Sequence, residues 1–194
     1  ISLHLNPAQE IVQFEGDRNF SGILKNIENI VKNLDVPVII KETGCGISKK
    51  TCEKLLNIGV KYIDISGFGG TNFIEIENLR RTDLDFTNIY GWGIPTAKCI
   101  IDCRKVSNDF TLIGSGGLKT GEDVAKAIIL GSDMTAIAGE VLRFLVHGGY
   151  KVAEDYLKSL IYQTKMTMLL LGAKNIKELK KVKYKTFGKL KDIL

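Results

Sequence analysis

The segment His4-Leu-Asn-Pro-Ala-Gln-Glu10 gathers an imidazole, two amides and a carboxylate just after a short apolar strand, which Pro7 keeps from continuing. Side chains of these types at a strand's carboxyl end suit a site for phosphate and a hard metal ion. They offer a cation or donor, neutral hydrogen-bonding groups and one anionic oxygen ligand. A second chemical segment is Lys41-Glu-Thr-Gly-Cys-Gly-Ile-Ser48, where a lysine closes a β-branched run. A buried ammonium is costly unless an anion meets it, so Lys41 is read as facing a ligand. Gly44 and Gly46 leave room for one.

Two glycine-dense segments follow. Ser66-Gly-Phe-Gly-Gly-Thr-Asn72 exposes backbone N–H groups flanked by the hydroxyls of Ser66 and Thr71. Gly114-Ser-Gly-Gly-Leu-Lys-Thr-Gly121 ends a strand in consecutive glycines just before a helix, an arrangement that converges free N–H groups on phosphate. Ala138-Gly139 repeats the small-residue pattern one strand later. Two adjacent strand ends of this kind match the phosphate site made by the last two βα loops of a barrel. The Walker pattern is absent, and no G-x-G-x-x-G follows a strand. Four further residues are assigned no chemistry. Trp92 is expected to be a packing anchor, His147 solvent-facing or a helix cap, and Glu75 and Glu77 helix-surface charge.

The elements that must position these residues alternate. Strands are expected at Ile1–Leu5, Val36–Lys41, Tyr62–Ser66, Phe110–Ser115 and Met134–Ala138, as short apolar runs. Helices are expected across Gly22–Leu34, Lys49–Ile58 (capped by Ser48), the stretch leading to Arg81, and Ile94–Val106. Others follow from Thr120 to Leu130, Tyr150 to Leu171 and Ile176 to Val182. Arg80–Trp92 lacks periodicity and reads as a mobile loop. Such alternation implies one α/β domain over residues 1–194 with a parallel sheet and right-handed crossovers. Five strands are too few to close an eight-stranded barrel.

Composition narrows the classes. The chain has 194 residues, 44% hydrophobic and 25% charged, with a net charge of +5. Much of the excess sits in Lys177–Lys191, read as a basic surface rather than a nucleic-acid patch, because no binding motif accompanies it. No apolar run approaches membrane-spanning length. Cys45, Cys52, Cys99 and Cys103 lack zinc spacing and read as reduced thiols of a cytoplasmic protein. The first residue is Ile1, inside an expected strand, as in a trimmed or processed polypeptide.

HLNPAQE, VPVIIKETGCGIS, DISGFGGTNFIEIEN, WGIPTA, GSGGLKTGEDVAKAIILGSD and AIAGEVL, in this order, resemble type 2 isopentenyl diphosphate isomerase, the flavin-dependent form. The resemblance runs from the first residue to about residue 190. It implies an FMN-binding (β/α)8 TIM barrel, of which this chain resembles only the carboxyl-terminal half, the fourth to eighth βα units. The Asn78–Trp92 loop is shorter than in the family.

The resemblance further implies interconversion of isopentenyl and dimethylallyl diphosphate with reduced FMN and Mg²⁺, in isoprenoid biosynthesis. NADPH or NADH would be the reductant and a homo-oligomer, tetramer or larger, the assembly. By position, Gln9 is the catalytic, substrate-contacting amide and Glu10 the magnesium ligand. His4, Asn6 and Thr43 hold the diphosphate. Lys41, Ser66 and Thr71 contact FMN, and Gly116, Gly117, Leu118, Ala138 and Gly139 bind its phosphate. Two rival readings stay open: an FMN-dependent oxidoreductase of the hydroxy-acid oxidase type, and an inactive fragment of the isomerase. HLNPAQE favours the isomerase, because it offers a metal carboxylate and a neutral amide rather than a histidine base for hydride chemistry.

Overall fold

The computed structural model describes Ile1–Leu194 throughout. Five parallel strands form one sheet: β1 (Ser2–His4), β2 (Ile39–Lys41), β3 (Tyr62–Asp64), β4 (Thr111–Ser115) and β5 (Met134–Ala136). Their spatial order is their chain order. A doubly wound sheet reverses order at a switch point, whereas barrel staves follow one another around the axis. The sheet is therefore part of a TIM barrel, with free edges at β1 and β5.

The register brings three strand ends side by side. His4 pairs with Lys41, and Lys41 with Asp64. One rim thus carries an imidazole, an ammonium and a carboxylate. Strand pairing is shorter than the apolar runs predict, because Val36–Val38 and Ile65–Ser66 lie outside the ladder. Ser66 takes φ +30, the one positive value at a non-glycine residue. That turn carries the chain out of β3 and into the glycine loop.

Nine helices connect and cover the strands: α1 (Pro7–Val12), α2 (Ile23–Asn33), α3 (Lys49–Asn57), α4 (Phe73–Leu79), α5 (Thr96–Arg104), α6 (Gly121–Leu130), α7 (Gly139–Leu170), α8 (Ile176–Leu179) and α9 (Gly188–Ile193). Side-chain caps set several starts. Asn6, Ser48, Asn72 and Thr120 each accept an N–H of the first turn, and Thr120 forms a capping box with Asp123. Helix α7 is broken at Gly149 (φ +74). The core is continuous from Ile27 on α2 through Ile40, Ile63 and Leu112 on the strands to Leu55, Cys52, Cys99 and Cys103 on α3 and α5.

Several expectations change here. The polar segment after β1 is itself a helix, α1, because Asn6 caps it and Pro7 fits its first turn. Helix α7 starts at Gly139, well before Tyr150, and α9 was not anticipated. Arg80–Trp92 contains a 3-10 turn, Thr87–Ile89, rather than unstructured chain. It is tied to α4 through Asn78, which accepts the Phe86 N–H at 2.9 Å and donates to the Tyr90 hydroxyl at 2.7 Å. Trp92 is 67% exposed and anchors no packing. Glu77 is buried rather than on the surface, with Arg80 at 2.7 Å.

Candidate functional site

A cavity of about 490 Å³ opens at the carboxyl ends of β2 to β5. Lys41, Thr43, Ser66, Thr71, Gly116, Gly117, Leu118, Ala138 and Gly139 all line it. Every residue assigned to FMN from the sequence therefore falls on one wall system, together with Asp64, Ser115, Lys119 and Glu140.

The glycines of the two loops serve each other. A Cβ on Gly116 (φ +102) would overlap the Gly67 carbonyl, and one on Gly117 (φ +80) would overlap Gly69. The loops after β3 and β4 thus pack backbone against backbone, which only glycine permits at this approach. Thr96 fastens the arrangement by donating its hydroxyl to the Gly116 carbonyl at 2.6 Å. The result for the ligand side is direct. The N–H groups of Gly116, Gly117 and Leu118 donate to no group of the protein. The first N–H groups of α7, from Gly139, have no acceptor within the helix. Thr71 joins them, its Oγ1 lying 3.0 Å from where a Gly139 Cβ would stand. Unpaired donors at a helix start, in a cavity, fit a phosphate monoester. The residues present fit the phosphate end of FMN.

At the other end Lys41 donates from Nζ to its neighbour's carbonyl, Glu42 O, at 3.0 Å. The Glu42 side chain is buried and turns back into the loop. One of its oxygens accepts N–H groups from Thr43 (2.6 Å), Cys45 (2.6 Å) and Gly46 (3.2 Å). Burial raises its pKa above the ordinary carboxylate value, and those N–H groups oppose the rise. Burial, reinforced by Glu42, also pushes the Cys45 thiol up to about 11.

Thr43 links the cavity to the segment after β1. Its Oγ1 accepts from Asn6 Nδ2 at 3.0 Å, donates to Gln9 Oε1 at 3.2 Å and lies 3.1 Å from His4 Nε2. One hydroxyl satisfies all three when His4 carries its proton on Nε2. Burial and the neighbouring Lys41 lower the His4 pKa, so the ring favours its neutral form. His4, Asn6, Gln9 and Thr43, separated in sequence, thus form one network. Asn6 is 3% exposed, and its oxygen also caps α1 by accepting the Gln9 N–H at 2.9 Å. Glu10 lies one residue on, with Oε2 accepting the Asp17 N–H at 3.2 Å. No three His, Cys, Asp or Glu side chains are grouped so as to hold a metal ion by themselves. A cation at Glu10 would complete its shell from phosphate oxygens and water.

Sequence reading missed Asp64, Ser115, Glu42 and Glu77. Asp64 accepts a short hydrogen bond from the Ser115 hydroxyl, and the Ser66 N–H donates to Ser115 Oγ at 3.1 Å. Glu77 accepts from Gln9 Nε2 at 3.5 Å. No sequence signal marked Asp64, because its place as the last paired residue of β3 emerges only from the register.

The fold is that of the barrels of FMN-dependent dehydrogenases. The family model of FMN-dependent dehydrogenases matches residues 5–186, and the chain belongs to that family. Within it, the chain is a homologue of isopentenyl-diphosphate delta-isomerases. The Bacillus cytotoxicus protein of that name is 51% identical over 182 residues, which are 94% of this chain and 52% of that protein. The Geobacillus sp. WCH70 protein is 46% identical over 182 residues, covering 94% and 52%. The Listeria innocua protein is 39% identical over 191 residues, covering 98% and 53%. The chain spans about half the length of the curated relatives it matches. Among solved structures, Pediococcus acidilactici lactate oxidase superposes with a TM-score of 0.66 at 21% identity, over 88% of this chain and 42% of that one. A mandelate oxidase mutant with a monooxide FMN adduct gives 0.67 at 18% identity, over 90% and 48%. Those likenesses establish the barrel fold. No helix is long and apolar enough to cross a membrane.

Proposed function

We propose that this chain forms the carboxyl-terminal half of the active site of an FMN- and Mg²⁺-dependent isopentenyl-diphosphate delta-isomerase, with an isoprenoid diphosphate as substrate. The observation that carries the reading is the Thr43-centred network of His4, Asn6 and Gln9, set against the wall of the glycine cradle. It puts neutral donors and an amide where a diphosphate and an alkene could lie beside a flavin.

The reaction adds a proton at one carbon and removes one at another, with no net redox change. Bound and reduced, FMN would supply an electron-rich ring able to exchange protons beside an apolar chain. In this reading the N–H groups of Gly116, Gly117, Leu118 and Gly139 hold its phosphate, with Ala138 closing the wall. Lys41 offsets negative charge on the ring, and Ser66 and Thr71 position it. His4, neutral through burial and the adjacent Lys41, would turn its single Nε2–H from Thr43 to a diphosphate oxygen rather than pair with it as a cation. Asn6, buried with Nδ2 donating to Thr43 Oγ1 and Cys45 Sγ, acts on the diphosphate site by setting the His4–Thr43–Gln9 geometry. Glu10 supplies the anionic oxygen for Mg²⁺, and Gln9 points its amide at the substrate as the catalytic contact. Flavin reduction by NADPH or NADH, a cytoplasmic location and a homo-oligomeric assembly complete the reading.

The test uses protein expressed from its complete reading frame, with FMN chemically reduced and Mg²⁺ present. Conversion of isopentenyl to dimethylallyl diphosphate is followed by product analysis. Oxidation of a 2-hydroxy acid with no such conversion would replace the isomerase reading with the oxidase one.

A further inference from the structure

The phosphate end of the cavity already contains an anion. Lys119 and Glu140 both line it, and Lys119 Nζ lies 3.4 Å from Glu140 Oε1. Arg143, one turn along α7, grips the other oxygen through Nε at 2.9 Å and a terminal nitrogen at 2.6 Å. Those hydrogen bonds from Arg143, followed by Lys119, hold the Glu140 carboxyl below its ordinary value. Glu140 is therefore ionised, and it occupies the first turn of the helix whose start belongs to the phosphate site. A carboxylate there gains from the helix dipole and the free N–H groups, the same features that attract phosphate.

Lys119 is built to move only its side chain. Its N–H donates to Asp123 at 3.1 Å, and its carbonyl accepts the Tyr156 hydroxyl at 2.9 Å. Tyr156 is itself anchored on Phe144, ring centroids 4.5 Å apart. In a straight helix residues twelve apart stand about 18 Å apart along the axis, so this contact exists because α7 breaks at Gly149. The Lys119 side chain, 60% exposed, has no other acidic partner.

We infer that Glu140 is a built-in competitor for the cofactor phosphate: Lys119 pairs with Glu140 in the flavin-free protein and passes to the phosphate monoester on binding. Arg143 stays with Glu140 and keeps its charge compensated. Glu140 thus sets how tightly a phosphorylated flavin is held, and the effect is confined to ligands that carry the phosphate. This inference rests on the FMN reading of the cavity.

The experiment measures dissociation constants of FMN and of riboflavin, which lacks the phosphate, by flavin fluorescence at low ionic strength. The wild type, Glu140→Gln, Lys119→Met and the double variant are compared, each from the complete reading frame. For a partly exposed charge contact, Glu140→Gln should tighten FMN by about threefold and Lys119→Met weaken it by a similar factor. Riboflavin affinity should not change in either. The Glu140→Gln gain should also shrink in the Lys119→Met background, because fewer cations remain to be released. Weaker FMN binding in Glu140→Gln, or an equal shift for riboflavin, overturns the competition. Wild type that binds FMN while Glu140→Gln matches it removes this inference alone. Wild type that binds neither flavin removes the FMN reading and the inference with it.

Discussion

Removing the carboxylate of Glu42, which does not itself line the cavity, should loosen the loop that presents Lys41 and Thr43 to it. Its buried oxygen accepts three backbone N–H groups, from Thr43, Cys45 and Gly46. Glu42→Ala leaves the Thr43 and Cys45 N–H groups without an acceptor, while the Gly46 N–H keeps the Ser66 carbonyl at 3.1 Å. An unsatisfied buried donor costs about 1–3 kcal/mol, and sharing one acceptor with access to water keeps the sum near 3 kcal/mol. For a domain of this size that corresponds to a fall in Tm of roughly 6–12 °C. Amide hydrogen exchange at residues 43 and 45 should accelerate ahead of the strand amides, and flavin affinity should fall as Lys41 loses its fixed backbone. Unchanged exchange at those amides would refute the role.

Glu42→Gln separates charge from hydrogen bonding, because its amide oxygen can still accept. The sign follows from the raised folded-state pKa of Glu42. The folded protein holds the proton more tightly than the unfolded chain. The associated stability is full below the ordinary carboxylate value and is lost as pH rises through the folded value. Urea midpoints measured from about pH 4 to pH 7 should therefore show the wild type losing ground to Glu42→Gln as pH rises. A wild-type advantage that grows with pH would mean the carboxylate is stabilised by its N–H donors more than burial penalises it.

Gly117→Ala should cost about 3 kcal/mol or more, since a side chain at φ +80 is strained and its Cβ overlaps Gly69. Gly139→Ala, whose Cβ meets only Thr71 Oγ1 at 3.0 Å, should keep thermal stability and lose FMN affinity, which a melting curve and a flavin titration separate. Gln9→Ala should slow isomerisation with flavin binding nearly unchanged, and a parallel loss of flavin would move Gln9 out of the substrate site. Glu10→Gln should raise the Mg²⁺ concentration needed for half-maximal turnover, read from a metal titration. Cys45, with its thiol near 11, should react with iodoacetamide at neutral pH far more slowly than a free thiol, followed by mass spectrometry.

The strand-end logic was legible because it rests on local signals. A β-branched run followed by lysine or by paired glycines marks a parallel strand meeting a ligand, and all five strands fell where such runs lie. What stayed hidden depends on register and on three-dimensional neighbours. Nothing in DIS marks Asp64 as a rim residue until β3 is set beside β2 and it stands next to Lys41. Glu77 has helical spacing and reads as surface charge. Its burial appears only when α4 packs on α1 and brings it to Gln9. The glycines after β3 read as a second anion loop, whereas the structure uses them to admit the loop after β4.

That packing separates the two halves of the proposed chemistry. The proposed phosphate cradle is closed by contacts within this chain, from β3 to α7, with Gly67, Gly69, Thr96 and Tyr156 as its supports. The segment that would meet the substrate instead follows β1, an edge strand with one side unpaired. Donors fixed by backbone contacts on both sides lose little freedom when a ligand arrives, whereas donors beside a free edge must still be ordered. Cofactor phosphate and substrate diphosphate therefore make different demands on what lies beyond β1. Phosphate affinity should be set chiefly by Gly116–Lys119 and Glu140. Alignment of Gln9 and Glu10 for turnover should depend on whatever pairs with the β1 edge.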